Sequence, residues 1–200
     1  MNITEILVAI LFAYIVGSIP TGYIIVKLAT GQDIRKIGSG STGATNVKRV
    51  MGKKWFIITL LLDALKGAIP VLFAIEYLSA YYQIGLLPVL AAVFVLIGHS
   101  RSVFLHFTGG KSVASGVGTI LALNFTVGLI IAAIWAVITY MTRYVSVGSI
   151  IALAISPILM YFMDGHPAYV FYCLIGAIYI IWLHRANIQR LKNGEENKVR

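Results

Sequence analysis

The sequence predicts an all-α integral membrane protein with seven transmembrane helices, some of them short or interrupted. Hydrophobic residues make up 59% of the chain and charged residues only 12%, about half the charged fraction of a soluble domain. The apolar residues form long runs, and a run of about 20 residues is enough to cross a bilayer as a helix. A length of 200 residues fits a single domain, which we expect to span 1–200.

Six apolar runs can be followed along the chain. They cover residues 4–28, 55–75, 85–104, 113–141, 145–163 and 168–184. A polar, glycine-rich loop follows the first run as far as residue 54, and a second polar loop at 106–112 precedes the fourth run. The segment at 76–84 and a turn at 164–167 lie at the other ends of the spans. A basic tail closes the chain.

The run at 113–141 is long enough for one long span or for two short spans that turn at Asn124. Charge separates these alternatives, because cytoplasmic segments carry an excess of Lys and Arg. Two spans give seven in all, with the N-terminus outside and the C-terminus in the cytoplasm. One span would leave Arg143 and the basic tail outside. The charge distribution therefore favours seven spans.

With seven spans, the basic residues collect on one side of the membrane. The outer segments hold Glu5, Glu76 and Asp164 but no base, and Lys66 lies inside the second span. The inner segments hold Lys27, Arg35, Lys36, Lys48, Arg49, Lys53, Lys54, Arg101, Lys111, Arg143, Arg185, Arg190, Lys192, Lys198 and Arg200. The net charge of +9 is thus explained by topology and anionic lipid or substrate rather than by nucleic acid.

The first inner loop clusters glycines and hydroxyl residues between Gly38 and Asn46, followed by Lys48 and Arg49. The spacing matches G-x-G-x-x-G, but a dinucleotide site needs a preceding strand, and here an apolar span precedes the loop. Glycines also let successive backbone N–H groups converge on a phosphate, and the two bases could complete an anion site. The alternative is an ordinary polar loop whose bases only fix orientation.

In the second inner loop, Lys111 lies between two glycines and an apolar helix that begins with Ser112. The segment is not a P-loop, because the first glycine of that motif would fall at Leu105. A lysine beside a helix N-terminus suits a phosphate. The alternative is a lysine that only sets topology.

Asp63 and Lys66 lie three residues apart inside the second apolar run. Charges within a membrane normally pair or line a polar cavity, so we expect a structural pair, with a catalytic pair as the alternative. The tail is typical of a short, solvated interfacial end whose bases snorkel. The only acids on the inner face are Asp33, Glu195 and Glu196, which argues against a metal site.

Taken in order, these motifs resemble the PlsY-type acyl-phosphate:glycerol-3-phosphate acyltransferases over nearly the whole chain. The resemblance rests on Gly17-Ser-Ile-Pro-Thr-Gly22, Gly38-Ser-Gly…Gly43-Ala-Thr-Asn46-Val, Asp63-Ala-Leu-Lys66-Gly67, Gly98-His99, Gly109-Gly-Lys111 and His184-Arg-Ala-Asn187…Arg190-Leu…Gly194-Glu195. The chain departs from the family pattern at 41–42, where the family often has Asn-Pro, and at 112–115, where it commonly has Gly-Val-Ala-Thr. The roles of those positions stay open.

The resemblance implies a transferase that moves a fatty acyl group from acyl phosphate to the 1-hydroxyl of glycerol 3-phosphate. The products would be lysophosphatidic acid and phosphate, in the first acylation of bacterial phospholipid synthesis. It implies a location in the cell (inner or cytoplasmic) membrane with the active site facing the cytoplasm, and neither cofactor nor metal. It also suggests as a partner the soluble enzyme that makes acyl phosphate.

The resemblance further assigns roles to individual residues. Ser39, Arg49 and Lys111 would act on the acyl phosphate, and Lys111 would also stabilise charge on the transferring group. The remaining substrate-binding residues would be Gly38, Gly40, Gly43, Thr45, Asn46, Gly109, Gly110, Ser149, His184, Asn187 and Arg190. His184, Asn187 and Arg190 would serve glycerol 3-phosphate, with Ser149 in the same pocket. Since no residue is a convincing general base, we hypothesise that the leaving phosphate accepts the hydroxyl proton.

Two other classes of function compete with the acyltransferase. A secondary transporter for an anionic solute would use interrupted spans and intramembrane charges. However, the polar motifs here cluster on one face and no internal repeat is visible. A non-catalytic membrane scaffold gives no reason for the glycine-rich basic loops.

Overall fold

The computed structural model describes residues 3–78 and 85–199, and in these ranges it consists of α-helices joined by loops. Part of the predicted outer loop at 76–84 and the predicted inner Arg200 lie outside the described residues. The helices are α1 (Ile3–Ser18), α2 (Thr21–Thr30), α3 (Ala44–Met51), α4 (Lys53–Tyr77), α5 (Leu86–Ser100), α6 (Val113–Leu123), α7 (Phe125–Thr142), α8 (Val145–Met163), α9 (Pro167–Leu183) and α10 (Arg185–Lys192). The all-α class is confirmed.

The apolar helices identify a multi-pass membrane protein. Four helical segments are long and apolar enough to cross a bilayer, namely Ile3–Thr30, Lys53–Tyr77, Phe125–Thr142 and Val145–Met163. A fifth is possible if Pro167–Leu183 and Arg185–Lys192, bent by 58°, form one span. Leu86–Ser100 and Val113–Leu123 are shorter apolar helices. The count of seven spans and the orientation of the termini stay predictions.

Two helix boundaries differ from the predicted runs. The first run is broken between α1 and α2, because Pro20 has no N–H to donate and its ring blocks the preceding turn of a helix. The first inner loop is also not a loop throughout, since α3 occupies its second half. This short helix buries Val47 against Val26 and Ile34, which fixes the polar segment that precedes it.

The long run at 113–141 is divided at Asn124. The Asn124 carboxamide oxygen accepts a hydrogen bond of 3.0 Å from the Val127 N–H and so caps the start of α7. The chain then turns back on itself. The close approach of the two helices shows this turn, since a Cβ at Gly128 would lie only 2.7 Å from the Leu121 Cα. Residues seven apart in one continuous helix would be about 10 Å apart.

The contacts within the chain divide it into two compact units, Met1–Thr119 and Ile120–Arg200. In the first unit, α1 packs along α5, and α4 packs against α1, α3 and α5. In the second unit, α8 packs against both α7 and α9. The expectation of one domain at 1–200 stays a prediction.

The α1–α5 contact depends on two glycines. A Cβ at Gly17 would lie 2.6 Å from the Val95 carbonyl oxygen, and a Cβ at Gly98 would lie 2.5 Å from the Tyr14 carbonyl oxygen. Small residues allow helix backbones in membranes to approach this closely. The two helices therefore pack backbone to backbone, and neither glycine can gain a side chain without moving its partner helix.

We expect Gly17→Ala to destabilise the protein by about 1–3 kcal/mol, because the added methyl group overpacks the α1–α5 contact. The measurement is the midpoint of thermal unfolding in detergent. Leu11→Ala is the matched control, since Leu11 lies on the same helix and is 59% exposed. Equal shifts in the two variants would contradict the close-packed contact.

Candidate active site

Asn46 holds the first inner loop in one shape. Its buried amide nitrogen lies 3.3, 2.9 and 2.9 Å from the carbonyl oxygens of Ile34, Ile37 and Ser41, respectively, and donates to them. Its amide oxygen accepts a 3.0 Å bond from the Ser39 N–H. These bonds use the polar atoms of the Asn46 side chain on the loop itself. The geometry therefore favours a positioning role for this predicted substrate-binding residue.

Gly38 and Gly40 allow the sharp turns around Ser39. Both have left-handed backbones, with φ of 61° and 70°, which glycine adopts readily. The Gly40 N–H donates to the Ile37 carbonyl at 3.1 Å, while the Ser39 N–H is taken by Asn46. Neither N–H group is thus directed at an anion in this structure. What the turn presents to solvent is the exposed Ser39 side chain.

Helix α3 carries the next group of predicted site residues. Gly43 is its N-terminal cap, Thr45 lies in its first turn, and Arg49 lies exposed in its last turn. Because Val47 on the opposite face is fully buried in the small core, the rotation of the helix is fixed. Arg49 is therefore held on the surface at a defined place relative to the loop.

The two inner loops meet at one cavity in the first unit. Its volume is about 330 Å³, and its lining residues are Asp33, Arg35, Lys36, Gly40, Thr42, Thr108 and Gly109. The structure thus brings the predicted site residues Gly40 and Gly109 to a single cavity, although they are far apart in sequence. The sequence did not single out Asp33, Arg35 or Thr108 as lining residues.

Two residues that line this cavity, Asp33 and Arg35, form an ion pair with each other. The Arg35 guanidinium donates to both Asp33 carboxylate oxygens, with the shortest distance 2.7 Å, and lies over the Tyr23 ring. The hydrogen bonds from Arg35 lower the pKa of Asp33 to about 2, and the same contact raises the pKa of Arg35. Asp33 is thus ionised near neutral pH, where it cannot act as a general acid.

Lys111 is half-buried at the start of α6, as the sequence predicts. The next residue, Ser112, is buried with a left-handed backbone at φ 60°, and its hydroxyl donates to the Leu96 carbonyl at 2.8 Å. The preceding Gly110 N–H donates to the His99 carbonyl at 3.1 Å. The backbone on both sides of Lys111 is therefore fastened to α5.

Asp63 and Lys66 form the ion pair that the sequence predicts, with 2.8 Å between the charged atoms. The pair belongs to a larger polar network than the sequence predicts, because Asp63 also accepts a hydrogen bond from the Thr21 hydroxyl. Lys66 donates to the Ile19 carbonyl at 2.6 Å, at the break that Pro20 introduces. The buried pair therefore stabilises the interrupted first helix.

In the second unit, the predicted residues His184, Asn187 and Arg190 lie three apart across the α9–α10 bend. His184 is buried at the bend, and its Nδ1 lies 2.8 Å from the Ile180 carbonyl oxygen. Since a carbonyl oxygen only accepts, Nδ1 carries a proton there. The spacing of three places all three side chains on one side of the chain.

Glu196 ties two of these residues to the tail. It accepts hydrogen bonds from Asn187 at 2.6 Å, from Arg190 at 2.7 Å and from the Ser146 hydroxyl at 2.9 Å. The prediction of a solvated end is wrong for this residue, because the tail folds back on α8. The signal that could have found it is the rarity of acids on the inner face, where a lone carboxylate among bases tends to be paired.

The surroundings of Glu196 favour the ionised form of its carboxyl group. Burial alone would raise the pKa of its carboxyl group, but the hydrogen bonds from Asn187, Arg190 and Ser146 outweigh burial and hold the pKa below its ordinary value. A carboxyl group with a lowered pKa stabilises the fold above that ordinary value, and the stabilisation is lost as the pH falls through the lowered pKa. The tail is therefore fastened at neutral pH.

Ser149, the remaining predicted residue, is buried in α8. Its hydroxyl donates to the Val145 carbonyl at 2.8 Å and accepts from the Trp135 indole N–H at 3.2 Å. Ser149 thus connects α7 to α8 within the second unit, one turn along from Ser146.

We expect Glu196→Gln to destabilise the second unit by about 1–3 kcal/mol at pH 7, because it removes the charge from three hydrogen bonds. The measurement is the midpoint of thermal unfolding in detergent at several pH values. The difference from wild type should shrink as the pH falls below the ordinary carboxyl value of 4.5. The exposed neighbour provides the control, since Glu195→Gln should behave as wild type. A difference that does not depend on pH would contradict the assigned ionisation.

The chain resembles known proteins over almost its whole length. A sequence profile of the family described as glycerol-3-phosphate acyltransferase matches residues 7–194. A glycerol-3-phosphate acyltransferase from Syntrophotalea carbinolica is 46% identical, over 98% of this chain and 99% of the relative. One from Nostoc sp. is 41% identical, over 95% of this chain and 90% of the relative.

Two solved structures also match. Both are crystal structures of PlsY (YgiH), an integral membrane glycerol 3-phosphate acyltransferase. The glycerol 3-phosphate form has a TM-score of 0.91 and 35% identity, covering 98% of this chain and 96% of that one. The lysophosphatidic acid form has a TM-score of 0.89 and 34% identity, covering 98% and 95%. The chain therefore belongs to the glycerol-3-phosphate acyltransferase family, as a PlsY-type integral membrane member.

Proposed function

We propose that this protein transfers a fatty acyl group from acyl phosphate to the 1-hydroxyl of glycerol 3-phosphate. The products are lysophosphatidic acid and inorganic phosphate, in the first acylation step of bacterial phospholipid synthesis. The observation that carries the proposal is the match of 98% of the chain to PlsY in both a glycerol 3-phosphate and a lysophosphatidic acid form. These molecules are the acceptor and the product of one acylation.

The arrangement of the site residues supports handling of two phosphates. In the first unit, Ser39, Arg49 and Lys111 lie on segments that α3, Asn46 and the end of α5 hold in place. We assign these three to the acyl phosphate. Basic groups that are fixed before the substrate arrives stabilise developing charge without reorganising.

In the second unit, we assign His184, Asn187 and Arg190 to glycerol 3-phosphate. Glu196 engages Nε of Arg190, and a guanidinium has four further N–H donors with which to bind a phosphate. The bond from Nδ1 to the Ile180 carbonyl fixes the His184 ring. We place Ser149 in the same pocket, where its hydrogen bonds to Trp135 and Val145 hold α8 against α7.

The chemistry balances without a protein base. The 1-hydroxyl oxygen attacks the carbonyl carbon, a new C–O ester bond forms, and the bond from that carbon to the phosphate oxygen breaks. The departing phosphate takes the hydroxyl proton. Lys111 stabilises negative charge on the transferring group and on the phosphate that leaves.

The test of the reaction is phosphate release by the purified protein in detergent. We expect release that requires both palmitoyl phosphate and glycerol 3-phosphate, with lysophosphatidic acid formed in equal amount. Palmitoyl thioesters of coenzyme A or of acyl carrier protein serve as alternative donors. Product formation from a thioester, but not from acyl phosphate, would overturn the assigned donor. Transport of glycerol 3-phosphate into liposomes without acylation would overturn the enzyme.

Lys111→Ala should lower turnover by about 100-fold or more, because one preorganised charge is lost from the transition state. The measurement is the rate of phosphate release under saturating substrates. Lys54→Ala is the matched control, since Lys54 is exposed at the start of α4, and its turnover should equal that of wild type. Comparable activity in Lys111→Ala would remove the central assignment.

We further propose that the protein lies in the bacterial cell (inner) membrane as a single seven-span domain. The N-terminus is outside, and the active site and the C-terminus face the cytoplasm, where the soluble enzyme that makes acyl phosphate would be its partner. The one-sided distribution of Lys and Arg supports this orientation. The division of 113–141 into α6 and α7 supports the count.

Single cysteines test this topology, because the chain has one cysteine, the buried Cys173, which can be replaced by alanine. In intact cells we expect a membrane-impermeant maleimide to label Tyr77→Cys but neither Lys53→Cys nor Lys192→Cys. Permeabilised cells should label all three variants, which controls for local access. Labelling of Lys192→Cys in intact cells would contradict the seven-span arrangement, because an even number of spans would leave the tail outside.

A further inference from the structure

A buried cluster of polar side chains lies among the helices of the first unit, apart from the residues assigned to substrate. Its members are Thr21, Asp63, Lys66, His99 and Ser115. Asp63 is 1% exposed, and His99 is 7% exposed. Charges inside a membrane protein are costly, and where they occur they pair with one another and often mark a functional site. The acyl transfer described above uses none of the five.

His99 contacts the chain on both sides of Lys111. Its backbone carbonyl accepts the Gly110 N–H at 3.1 Å, one residue before Lys111. Its ring Nδ1 shares a 2.9 Å hydrogen bond with the Ser115 hydroxyl, in the first turn of α6. The lysine thus lies between two points that are both fastened to the same histidine.

The ring of His99 also fills the space beneath the loop. A Cβ on Gly110 would overlap the ring at Nε2, and a Cβ on Gly109 would overlap the His99 carbonyl oxygen. The two glycines are therefore packed directly on the histidine. The distance between this loop and α5 therefore depends on the size and orientation of the His99 ring.

The Asp63–Lys66 ion pair lies beside the ring, on the side away from Gly110. His99 Nδ1 lies 3.8 Å from an Asp63 carboxylate oxygen. Asp63 is itself held by Lys66 at 2.8 Å and by the Thr21 hydroxyl. Because Lys66 is also bonded to the Ile19 carbonyl, the ring rests against groups that belong to other segments of the fold and cannot move independently of them.

We propose that His99 is a positioning residue that, held by Asp63 and Lys66, places Lys111 for the acyl transfer. The inference rests on the proposed function in one respect, namely that Lys111 stabilises the transferring group. The structural half, that His99 orders the loop around Lys111, holds whatever the reaction is. The two halves are tested separately.

The first measurement is hydrogen exchange of backbone amides in detergent, which does not depend on activity. In His99→Leu, amides at 109–116 should exchange at least about 10-fold faster than in wild type, because the bond to Ser115 and the support under Gly110 are lost. His106→Asn is the control within the same loop. His106 is exposed with φ 53°, a backbone that asparagine tolerates. Unchanged exchange in His99→Leu would overturn the inference even if the enzyme transfers acyl groups.

The second measurement is turnover. His99→Leu should lose about 10- to 100-fold, the scale expected when a catalytic group is displaced by about 1 Å. His99→Asn keeps a polar atom near the position of Nδ1 and should recover most of that loss. In a Lys111→Ala background, His99→Leu should change the residual rate by less than about 2-fold, because its effect passes through Lys111. An equal loss in both backgrounds would show a general packing role and overturn the inference. Absence of turnover in wild type would count against the proposed function alone.

A third comparison holds if His99→Leu does not fold. Gly110→Ala adds a methyl group whose three nearest atoms all belong to the His99 ring, so it should slow turnover and accelerate exchange at 109–116. In the His99→Ala background the obstruction is gone, and Gly110→Ala should cost less than about 2-fold. A full-size cost of Gly110→Ala in that background would disprove the contact on which the inference depends.

Discussion

A charged side chain inside an apolar helix bundle must find its partners within the protein, because lipid offers it none. Asp63 meets this constraint by forming an ion pair with the Lys66 ammonium and accepting a hydrogen bond from the Thr21 hydroxyl, with the His99 ring beside it. These contacts join α2, α4 and α5, and the bond from His99 to Ser115 extends them to α6. One carboxylate therefore links the broken first helix to the segment that carries Lys111. The packing of these helices depends on the buried network, since removal of either charge of the Asp63–Lys66 pair would leave the other unpaired.

The first inner loop and the tail are ordered in a different way. In each, one polar side chain forms hydrogen bonds with several groups around it. Asn46 bonds four backbone groups of the first loop, and Glu196 bonds three side chains of the second unit. In both cases the polar atoms are used internally, so these residues cannot also bind much substrate. They leave their neighbours, Ser39 in one unit and Arg190 in the other, in fixed positions. The residues proposed to bind substrate are thus held in place before it arrives, which lowers the entropy lost on binding.

Hydropathy and charge predicted the helical membrane fold, the break at Asn124 and the Asp63–Lys66 pair, because each follows from a strong local rule. The break at Pro20 was visible as a motif but not as a helix boundary, since an apolar run does not reveal where backbone hydrogen bonds stop. Helix α3 was missed because it is eight residues long and mostly polar, so its single buried face gives a weak signal. The roles of Asn46 and Glu196 depend on the local shape of the loop and of the tail, because most of their partners are near in sequence but come within hydrogen-bond distance only once the chain folds. No spacing in the sequence encodes that the Asn46 amide faces three carbonyl oxygens.

The count of 16 Lys and Arg residues overstates the number of positive groups available to a substrate. Asp33 neutralises Arg35 at the cavity between the inner loops, and Glu196 is bonded to Arg190 in the tail. Each of these acids fixes one guanidinium in orientation as well as reducing its charge, which suits planar, directional recognition better than a mobile base. For Lys111 the neighbouring chain is fixed as well, because Gly110 and Ser112 on its two sides are both bonded to α5. A lysine on a fixed stretch of backbone loses less entropy when it binds a substrate than a lysine on a mobile loop. This fixed placement is what the proposed stabilisation of a transferring acyl group by Lys111 requires.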